Sequence, residues 1–563
     1  MRLAPLLLAA CTTNPSGDGA PDPNLLTSLE VEPALVTLVT GPDGFDTEQF
    51  TAWATLEDGS RVELAVAAWS VSNSSAGDVD ADGLFTPADD NGGVTWVTAE
   101  YANSWASATV TVIYHEELTE GGADASLFTG QTSDLEGSPW LYPEDGVRLP
   151  RGTPSIHFQW QDLAADAYRL HFSSAVSDIV VYTDTFEWES QAALWQVIAS
   201  TNAAGAVDVT LSASIDGQAQ QAEPIQLLVN RMDTRGTIYY WTSTKTGVSR
   251  INEDHEVESW WTRDDMGGDC VGCHAVSTGA EPLLAYTVFP TDWEIDPTNP
   301  YPGRTEIRLL ADPDSAPIMT MEADEIGDFK SFSPDGELML SAYNCQLLLY
   351  DARAGELIAD VTPWDEGQSA ALCVAQGEWS PDGSQVALTI SDELEFSWRI
   401  SDGAIYLMDY QGQHSFAAPR LLVDPASLFP DLDHIAYYPA WSPDGAWLAF
   451  NTSTGDSYDD EDAELWVVDP ATGRTTALDA ANQGAGLTNS WPRWSPLPDD
   501  DMLWLTFSSK RDYGMVVTTS QPQVWVSAFD PSLAAEGLDP SSPAFWLVGQ
   551  DPRENNHVPV WVE

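Results

Sequence analysis

The chain has 563 residues and an apolar content of 43%, which is enough to build several hydrophobic cores. Its 88 Asp and Glu residues against 21 Lys and Arg residues give a formal net charge of -67. Nucleic-acid binding needs clustered cations, so this charge excludes a DNA or RNA partner and favours a solvated acidic surface. After the N-terminal run, no stretch has the roughly 20 uninterrupted apolar residues of a membrane span.

The N-terminus carries a short apolar run, Leu3–Ala10, that ends in the sequence LAAC at Cys11. This pattern resembles the lipobox of bacterial lipoprotein signal peptides, which implies cleavage before Cys11 and lipid on its thiol. Residues 12–24 are polar and rich in Pro and Gly, as in a tether. We therefore expect 1–24 to be signal and tether, and the protein to be anchored by lipid in the bacterial cell envelope, at the outer membrane, periplasmic or surface-exposed. The alternative is a chance cysteine after a short apolar start.

Residues 25–115 show short alternating runs separated by turn signals, which predict antiparallel β-structure. The W-S-x-S strand at Trp69, the D-A-D-G-L-F turn and the closing A-T-V-T-V strand resemble a bacterial immunoglobulin-like (group 2) domain. The spacing of Asp78, Asp80 and Asp82 imitates an EF-hand calcium loop. An EF-hand needs flanking helices, whereas both flanks here are predicted strands, so a glycine turn is the favoured interpretation.

Residues 120–231 predict a second β-sandwich, which is similar to a fibronectin type III domain. His157 and His171 lie on its predicted strands, and we interpret them as partly buried polar residues rather than ligands. Trp188 and Trp195 are interpreted as core residues.

From 236 to 563 the sequence repeats an aromatic residue followed by Ser, Pro, Asp and Gly before an apolar strand. The copies are Phe332–Gly336, Trp379–Gly383, Trp441–Gly445 and the degenerate Trp494–Pro496. Pro presets φ and Gly accepts the positive φ of a tight turn. The repeat resembles the TolB-like β-propeller, related to WD-type propellers, which implies an all-β fold with about six blades. The C-terminal segment 558–562 repeats the P-x-W pattern and should complete the first blade.

Cys270, Cys273 and His274 form a C-x-x-C-H sequence, the attachment signature of c-type haem. Thiols at this spacing reach the two vinyl groups of one haem, and the next imidazole falls under the iron. We expect covalent haem c on Cys270 and Cys273, with His274 as the proximal iron ligand. A redox-active C-x-x-C is expected near a βαβ pattern and a zinc site needs a second Cys/His pair, and neither is present in the sequence.

Alignment of the repeats places His274 on Pro439 and Ser277 on Ser442. The motif therefore falls at the start of a blade, where propellers line the mouth of their central channel. An exported β-propeller with one C-x-x-C-H at the start of a blade is a pattern of bacterial cytochrome-like lipoproteins. The chain resembles these proteins in this respect.

For the sixth iron ligand, the first candidate is His557, which lies two residues before Pro559 in the neighbouring blade. Met266 and His255 are the alternatives, because a thioether and an imidazole both bind haem iron, and His434 is more distant.

Cys345 and Cys373 remain, and the sequence leaves open whether they form a disulfide or two buried thiols. The acidic runs Asp456–Glu464 and Asp499–Asp501 are exposed hairpin loops or, alternatively, Ca²⁺ sites. No G-x-S-x-G, P-loop or H-E-x-x-H sequence occurs.

These features predict a lipid-anchored extracytoplasmic protein that carries one haem for electron transfer or redox sensing, with an envelope or redox protein as partner. One alternative is a propeller scaffold for protein–protein interaction in which the haem motif is not catalytic. Another is an enzyme with haem as one of its cofactors, whose small-molecule substrate the sequence does not reveal.

Overall fold

The computed structural model describes residues 21–65, 67–279, 281–290, 303–321, 327, 329–364, 372–392, 397–497, 502–518 and 520–563. Cys11, with most of the expected signal and tether, lies outside these ranges, as does Asp499–Asp501. Regular structure in the described ranges is almost entirely β, which confirms the predicted fold class. We find in them no helix with the length and hydropathy of a membrane span.

The described chain divides into two compact units. The first comprises the described part of Met1–Thr119 with His171–Val181 and Ser200–Asn202, and the second comprises Glu120–Leu170, Tyr182–Ala199 and Ala203–Glu563.

The first unit begins with an N-terminal sandwich. Its strands are β1 (Leu26–Glu32), β2 (Leu35–Thr40), β3 (Glu48–Gln49), β4 (Thr51–Leu56), β5 (Arg61–Glu63), β6 (Ala68–Val71), β7 (Gly77–Val79), β8 (Leu84–Pro87), β9 (Gly93–Tyr101) and β10 (Ser104–Thr119). Strand β10 pairs with β9 and β2, while β4 pairs with β1 and β5. Alternate residues such as Val97, Ala99 and Val110 are fully buried, as the alternating sequence pattern predicts.

The acidic segment of this sandwich is a turn between strands β7 and β8. The Asp80 Oδ1 atom accepts hydrogen bonds of 2.9 Å from the backbone N–H groups of Asp82 and Leu84. Gly83 in the turn has φ of +84°. The interpretation of this segment as a glycine turn between strands is therefore confirmed.

The next part of the chain forms short strands and one helix. They are β11 (Ser133–Asp134), β12 (Trp140–Tyr142), β13 (Arg148–Leu149), β14 (His157–Trp160), β15 (Ala167–Ser173), β16 (Ser177–Thr183), β17 (Glu187–Glu189), α1 (Ala192–Thr201), β18 (Gly205–Ile215), β19 (Gln218–Gln221) and β20 (Ile225–Val229). Trp188 and Trp195 are buried core residues, as expected. His157 and His171 contact the carboxylates of Glu187 and Asp178 at 3.0 and 2.7 Å.

The propeller takes up the rest of the second unit. Its elements are β21 (Thr237–Thr242), β22 (Gly247–Ile251), β23 (Val257–Trp261), β24 (Cys270–Val276), β25 (Leu283–Phe289), β26 (Arg304–Leu309), β27 (Met319–Met321), β28 (Phe329–Phe332), β29 (Leu338–Tyr343), β30 (Gln346–Asp351), β31 (Glu356–Asp360), β32 (Cys373–Trp379), β33 (Gln385–Ser391), β34 (Ala404–Gly412), β35 (Ser415–Phe416), β36 (Arg420–Val423), α2 (Pro425–Leu428), β37 (Ile435–Trp441), β38 (Leu448–Ser453), β39 (Glu464–Val468), β40 (Thr475–Ala477), β41 (Ser490–Trp494), β42 (Leu503–Ser509), β43 (Gln523–Phe529), α3 (Pro531–Glu536), β44 (Phe545–Trp546) and β45 (Asn556–Val562).

These strands form six antiparallel blades in the described ranges. Blade 1 has the strand order β45-β21-β22-β23, and blades 2 to 6 begin at β24, β28, β32, β37 and β41. The six leading strands contact one another in a closed ring around the central channel. The C-terminal strand β45 pairs with β21 from Val562 opposite Thr237 to Asn556 opposite Thr242, which confirms that the C-terminus completes the first blade.

The Ser-Pro-Asp-Gly motif forms the same turn in blades 3, 4 and 5. In blade 5, the hydroxyl of Ser442 donates to Asp444 at 2.5 Å and accepts from the backbone N–H of Trp447 at 2.9 Å. Gly445 has φ of +69°, a conformation that glycine adopts without steric cost. The turn therefore leads each blade's first strand into its second in the same way.

Candidate functional site

The C-x-x-C-H sequence lies on β24, the leading strand of blade 2, between the leading strands of blades 1 and 3. The strand carries a bulge, because its register with β25 shifts between Gly272 and Ala275. Cys273, within the bulge, has φ of +51°. On a regular strand, Cys270 and Cys273 would point to opposite faces because they are three positions apart. A bulge places two residues opposite one and changes the direction of the side chains, so both thiols can point to the same side.

The same bulge recurs at the start of other blades. Tyr438 in blade 5, Trp491 in blade 6 and Val558 in blade 1 have φ of +52°, +61° and +53°. The register of β37 with β38 shifts between Tyr437 and Ala440, as β24 shifts around Cys273. Cys273 therefore takes the place of Tyr438, and His274 takes the place of Pro439.

A second contact supports this alignment. The Ser277 hydroxyl accepts from the backbone N–H of Leu283 at 2.7 Å, which is the bond that Ser442 makes to Trp447 in blade 5. The predicted placement of Ser277 on Ser442 and of His274 on Pro439 is therefore confirmed.

Aromatic side chains from three blades contact one another inside the channel, close to these bulges. Trp491 stacks on Tyr438 with ring centroids 3.9 Å apart and on Phe329 with centroids 5.6 Å apart. Blades 2 and 1 place the smaller Cys273 and Val558 at the corresponding positions. The channel consequently holds a cavity of about 700 Å³, which we call the channel cavity.

Cys270, Cys273 and His274 all line the channel cavity. Neither Cys270 nor Cys273 is part of a disulfide. Cofactor sites in proteins are concave, mostly apolar and about 300–1,000 Å³ in volume, and the wall here is rich in aromatic residues such as Trp241, Trp398 and Trp491. The motif thus faces a space of the size and character that a cofactor requires.

His274 is buried, with 7% of its surface exposed. Within the described residues, neither ring nitrogen makes a hydrogen bond. Burial, followed by the charges of Arg493, His557 and Lys330, lowers the pKa of His274 to about 3, and a contact with the Tyr239 backbone, outside hydrogen-bonding geometry, opposes the shift. The ring is therefore neutral at physiological pH, and a neutral imidazole nitrogen is what a metal ion binds.

The Cys270 thiol is partly buried, and burial raises its pKa, with the charge of Arg263 opposing this. Redox-active C-x-x-C cysteines have lowered pKa values, because the thiolate is the nucleophile. Cys270 has the opposite environment, which disfavours thiol–disulfide chemistry at this motif.

The residues considered for the sixth ligand lie in different places. His557 lines the channel cavity and packs edge-on against Trp241, with ring centroids 4.8 Å apart. Burial lowers the pKa of His557 to about 4. The Met266 sulfur is 3.9 Å from the Tyr286 hydroxyl in the apolar cluster between blades 1 and 2. His255 lines a separate cavity of about 30 Å³. His434 stacks on Phe429, with ring centroids 3.9 Å apart.

Three charged residues on leading strands line the channel cavity and were not predicted as site residues: Lys330, Glu378 and Arg493. The Lys330 Nζ atom donates to the Thr287 hydroxyl at 2.8 Å and to the Cys273 carbonyl at 3.3 Å. Arg493 lies 3.9 Å from the Glu378 carboxylate. In the sequence, each of the three can be recognised as a charged residue on a leading strand. Each aligns with Pro439 or Ala440 of blade 5.

Cys345 and Cys373 form a disulfide between blades 3 and 4. In the acidic run Asp456–Glu464, Asp456 pairs with Arg399 at 2.8 Å and Asp459 contacts Lys510. Across the described ranges, no cluster of three or more His, Cys, Asp or Glu side chains is arranged to hold a metal ion.

No family model matches the chain. An uncharacterized protein of Agrobacterium fabrum is 29% identical over 230 residues, which are 40% of this chain and 63% of that protein, so the chain spans less than two thirds of that relative. Similar solved structures include hydrazine synthase of Kuenenia stuttgartiensis, 13% identical with a TM-score of 0.27, covering 44% of this chain and 59% of that one. Prolyl oligopeptidase B of Galerina marginata is 8% identical with a TM-score of 0.32, covering 60% of this chain and 42% of that one.

Proposed function

We propose that the channel cavity binds one c-type haem, attached covalently through Cys270 and Cys273, and that the protein serves electron transfer or redox sensing. The observation that carries this proposal is the convergence of both thiols and a buried imidazole on one cavity of about 700 Å³, with no hydrogen bond from the imidazole to the described part of the chain. A buried polar ring without partners is unfavourable in a folded protein unless a ligand satisfies it.

The residues present fit this cofactor. Cys270 and Cys273 would form the thioether bonds, and a nitrogen of His274 would bind the iron. The aromatic wall formed by Trp241, Trp398 and Trp491 would exclude water from the macrocycle. The haem, when bound, supplies reversible one-electron exchange. The ring of six blades would hold its ligands on rigid strands, which keeps the change in structure between redox states small.

We propose His557 as the second axial ligand. In the part of the chain that the structure describes, His557 lines the channel cavity together with His274, whereas Met266 and His255 do not. Its lowered pKa keeps the ring neutral, and packing against Trp241 fixes its orientation. The ligand choice is testable, because bis-histidine and histidine–methionine haems differ in spectrum and potential.

We also propose that Cys11 anchors the protein by lipid at the bacterial cell envelope, where c-type haem is attached and disulfides such as Cys345–Cys373 persist. In this proposal the propeller is TolB-like. The immunoglobulin-like and fibronectin-like sandwiches would act as spacer or adhesion arms, and a redox protein of the envelope would be the partner. Labelling of cells with a radioactive fatty acid tests the anchor, and Cys11→Ala should abolish the label.

The pyridine haemochrome spectrum of the full chain, expressed with a c-type haem attachment system, tests the cofactor proposal. We expect a Soret band and a c-type haemochrome at one haem per chain. A purified, folded protein without a Soret band would contradict the proposal and favour the propeller scaffold for protein–protein interaction.

A further inference from the structure

The outer face of one sheet in the N-terminal sandwich exposes two tryptophans. Trp96 on β9 is 57% exposed, and Trp105 on β10 is 72% exposed. Tryptophan is highly buried in most proteins, and large apolar side chains exposed together mark a binding surface. The core of this sandwich is built from alternate residues of the same strands, such as Val97, Ala99 and Ala108, so the two indoles lie outside it.

The strand register places both tryptophans on the same face. Residues directly opposite each other in an antiparallel pair point to the same side, and β9 and β10 pair Trp96 with Thr109 and Glu100 with Trp105. Trp105 and Thr109 are four positions apart on β10. At about 3.4 Å per residue, the two indoles are therefore ~14 Å apart along the strand direction.

Hydroxyl groups lie between the two tryptophans. Thr98 and Ser107 are paired there, and their hydroxyl oxygens are 2.8 Å apart. Ser70 of β6 lies opposite Thr98 on the other side, and Thr109 lies opposite Trp96. A hydroxyl both donates and accepts hydrogen bonds. The face therefore combines two apolar rings with groups that can bind the hydroxyls of a ligand.

This face carries little charge, although the chain has a formal net charge of -67. Along Trp105–Ile113 of β10 and on the neighbouring strands β2, β9 and β6, the described residues of the face include one ionisable side chain, Glu100. Membrane-contact surfaces usually carry Lys or Arg beside their apolar residues. The charge of the chain also repels anionic lipid headgroups and a second copy of itself, whereas it does not repel an uncharged ligand.

We propose that Trp96, Thr98, Glu100, Trp105 and Ser107, which together we call the tryptophan face, bind a linear, uncharged polysaccharide of the cellulose type. The sugar rings of such a chain present flat faces of C–H groups, which stack on the electron-rich faces of the indoles. Hydroxyls at the ring edges exchange hydrogen bonds with the Thr98 and Ser107 hydroxyls and donate to the Glu100 carboxylate. The inference goes beyond the proposed haem function, and it holds or fails without the cofactor.

Isothermal titration calorimetry of the full chain tests the proposal, with cellohexaose as the probe and the anionic hexagalacturonate as the control. We expect saturable binding of cellohexaose and none of hexagalacturonate. Trp96→Ala and Trp105→Ala should each weaken cellohexaose binding tenfold or more, because each removes one of two linked stacking contacts. Cellobiose is too short to cover both indoles, so it should bind the wild type more weakly than cellohexaose does.

Phe186→Ala is the matched control, since Phe186 is 37% exposed and belongs to the second unit. It should leave the affinity for cellohexaose unchanged. Far-UV circular dichroism checks the fold of each variant. If an alanine variant fails to fold, Trp96→Leu and Trp105→Leu decide the question, because leucine keeps apolar bulk and lacks the aromatic ring.

Absence of saturable cellohexaose binding would overturn the inference, as would binding that none of the tryptophan variants weakens. The Cys11→Ala chain, which cannot carry lipid, tests two other occupants by sedimentation with vesicles of phosphatidylethanolamine and phosphatidylglycerol and by sedimentation velocity alone. Vesicle binding that Trp105→Ala abolishes would overturn the inference and assign the face to a membrane. Self-association that Trp105→Ala abolishes would overturn it and assign the face to a second copy.

Discussion

Blades 2 and 5 begin with the same backbone and different side chains. Strands β24 and β37 share the bulge, with φ of +51° at Cys273 and +52° at Tyr438, and the serine contact that follows it. In blade 5, Tyr438 stacks on Trp491 and fills part of the channel. In blade 2, Cys273 and His274 line the open cavity.

This difference distinguishes residues that stabilise the fold by packing from residues that form a binding site. An aromatic residue at the bulge occupies space in the channel and contributes packing energy, as Tyr438 does. Blade 2 lacks that packing and buries a histidine whose nitrogens make no hydrogen bond to any residue that the structure describes. A protein interior rarely leaves such groups unsatisfied unless they have a ligand, so changes at the two blade starts should differ in their effects.

The largest effect is expected from Cys270→Ala combined with Cys273→Ala. This change removes both thioether bonds, so haem should be lost completely when the protein is denatured and separated on a gel stained for haem. The matched control is Cys345→Ala combined with Cys373→Ala, which removes the disulfide of blades 3 and 4 and should keep the stain. A stain that survives the first double change would show that the motif is not the attachment site.

Tyr438→Ala should reduce the free energy of unfolding by about 3–5 kcal/mol, measured by urea denaturation. The side chain is 1% exposed, stacks on Trp491 at 3.9 Å and donates to the Trp398 carbonyl at 2.6 Å. Cys273→Ala, at the matching position of blade 2, should cost about 1 kcal/mol or less in the haem-free chain. Equal costs would show that both bulges serve packing alone.

The haem-free chain should lose stability as the pH falls below 6.5. The folded-state pKa is lowered to about 3 at His274 and about 4 at His557, so the unfolded state takes up these protons first. Each histidine then contributes a slope of about 1.4 kcal/mol per pH unit, down to about pH 4 for His557 and about pH 3 for His274.

His557→Gln should flatten the dependence of the unfolding free energy on pH between 6.5 and 4, and the exposed His414 offers the control variant His414→Gln. Identical slopes for the wild type and His557→Gln would contradict the burial of a neutral ring at this position.

The smallest effect is expected at the turn of blade 5. Gly445→Ala should cost about 1 kcal/mol, since φ of +69° is unfavourable for alanine, while the added Cβ would meet its nearest neighbour, Pro381, at an ordinary 3.4 Å. Gly130→Ala, whose Cβ would meet nothing within 4 Å, should change the melting temperature little. A melting temperature unaffected by Gly445→Ala would show that the turn tolerates a side chain.

The blades could be predicted from the sequence because their turn chemistry is local. Ser442, Asp444 and Gly445 lie within four positions and make their contacts with one another or with the next strand. The same repeat placed His274 on Pro439 correctly, since alignment needs no knowledge of distant contacts.

The site's charged wall could not be predicted in this way. Lys330 and Arg493 reach the motif from blades 3 and 6, and their approach depends on closure of the ring rather than on nearby sequence. Separation along the chain also misleads, because Met266, four positions before Cys270, turns towards Tyr286, whereas the distant His557 shares the cavity.

Peptide mapping by mass spectrometry tests the central claim most directly. Trypsin cuts after Arg263 and Arg304 and releases residues 264–304 as one peptide with both motif cysteines. In protein expressed with a haem attachment system, this peptide should carry the added mass of one haem, with both thiols consumed. A peptide of unmodified mass from folded protein, with both thiols free to react with iodoacetamide, would contradict covalent haem at this site.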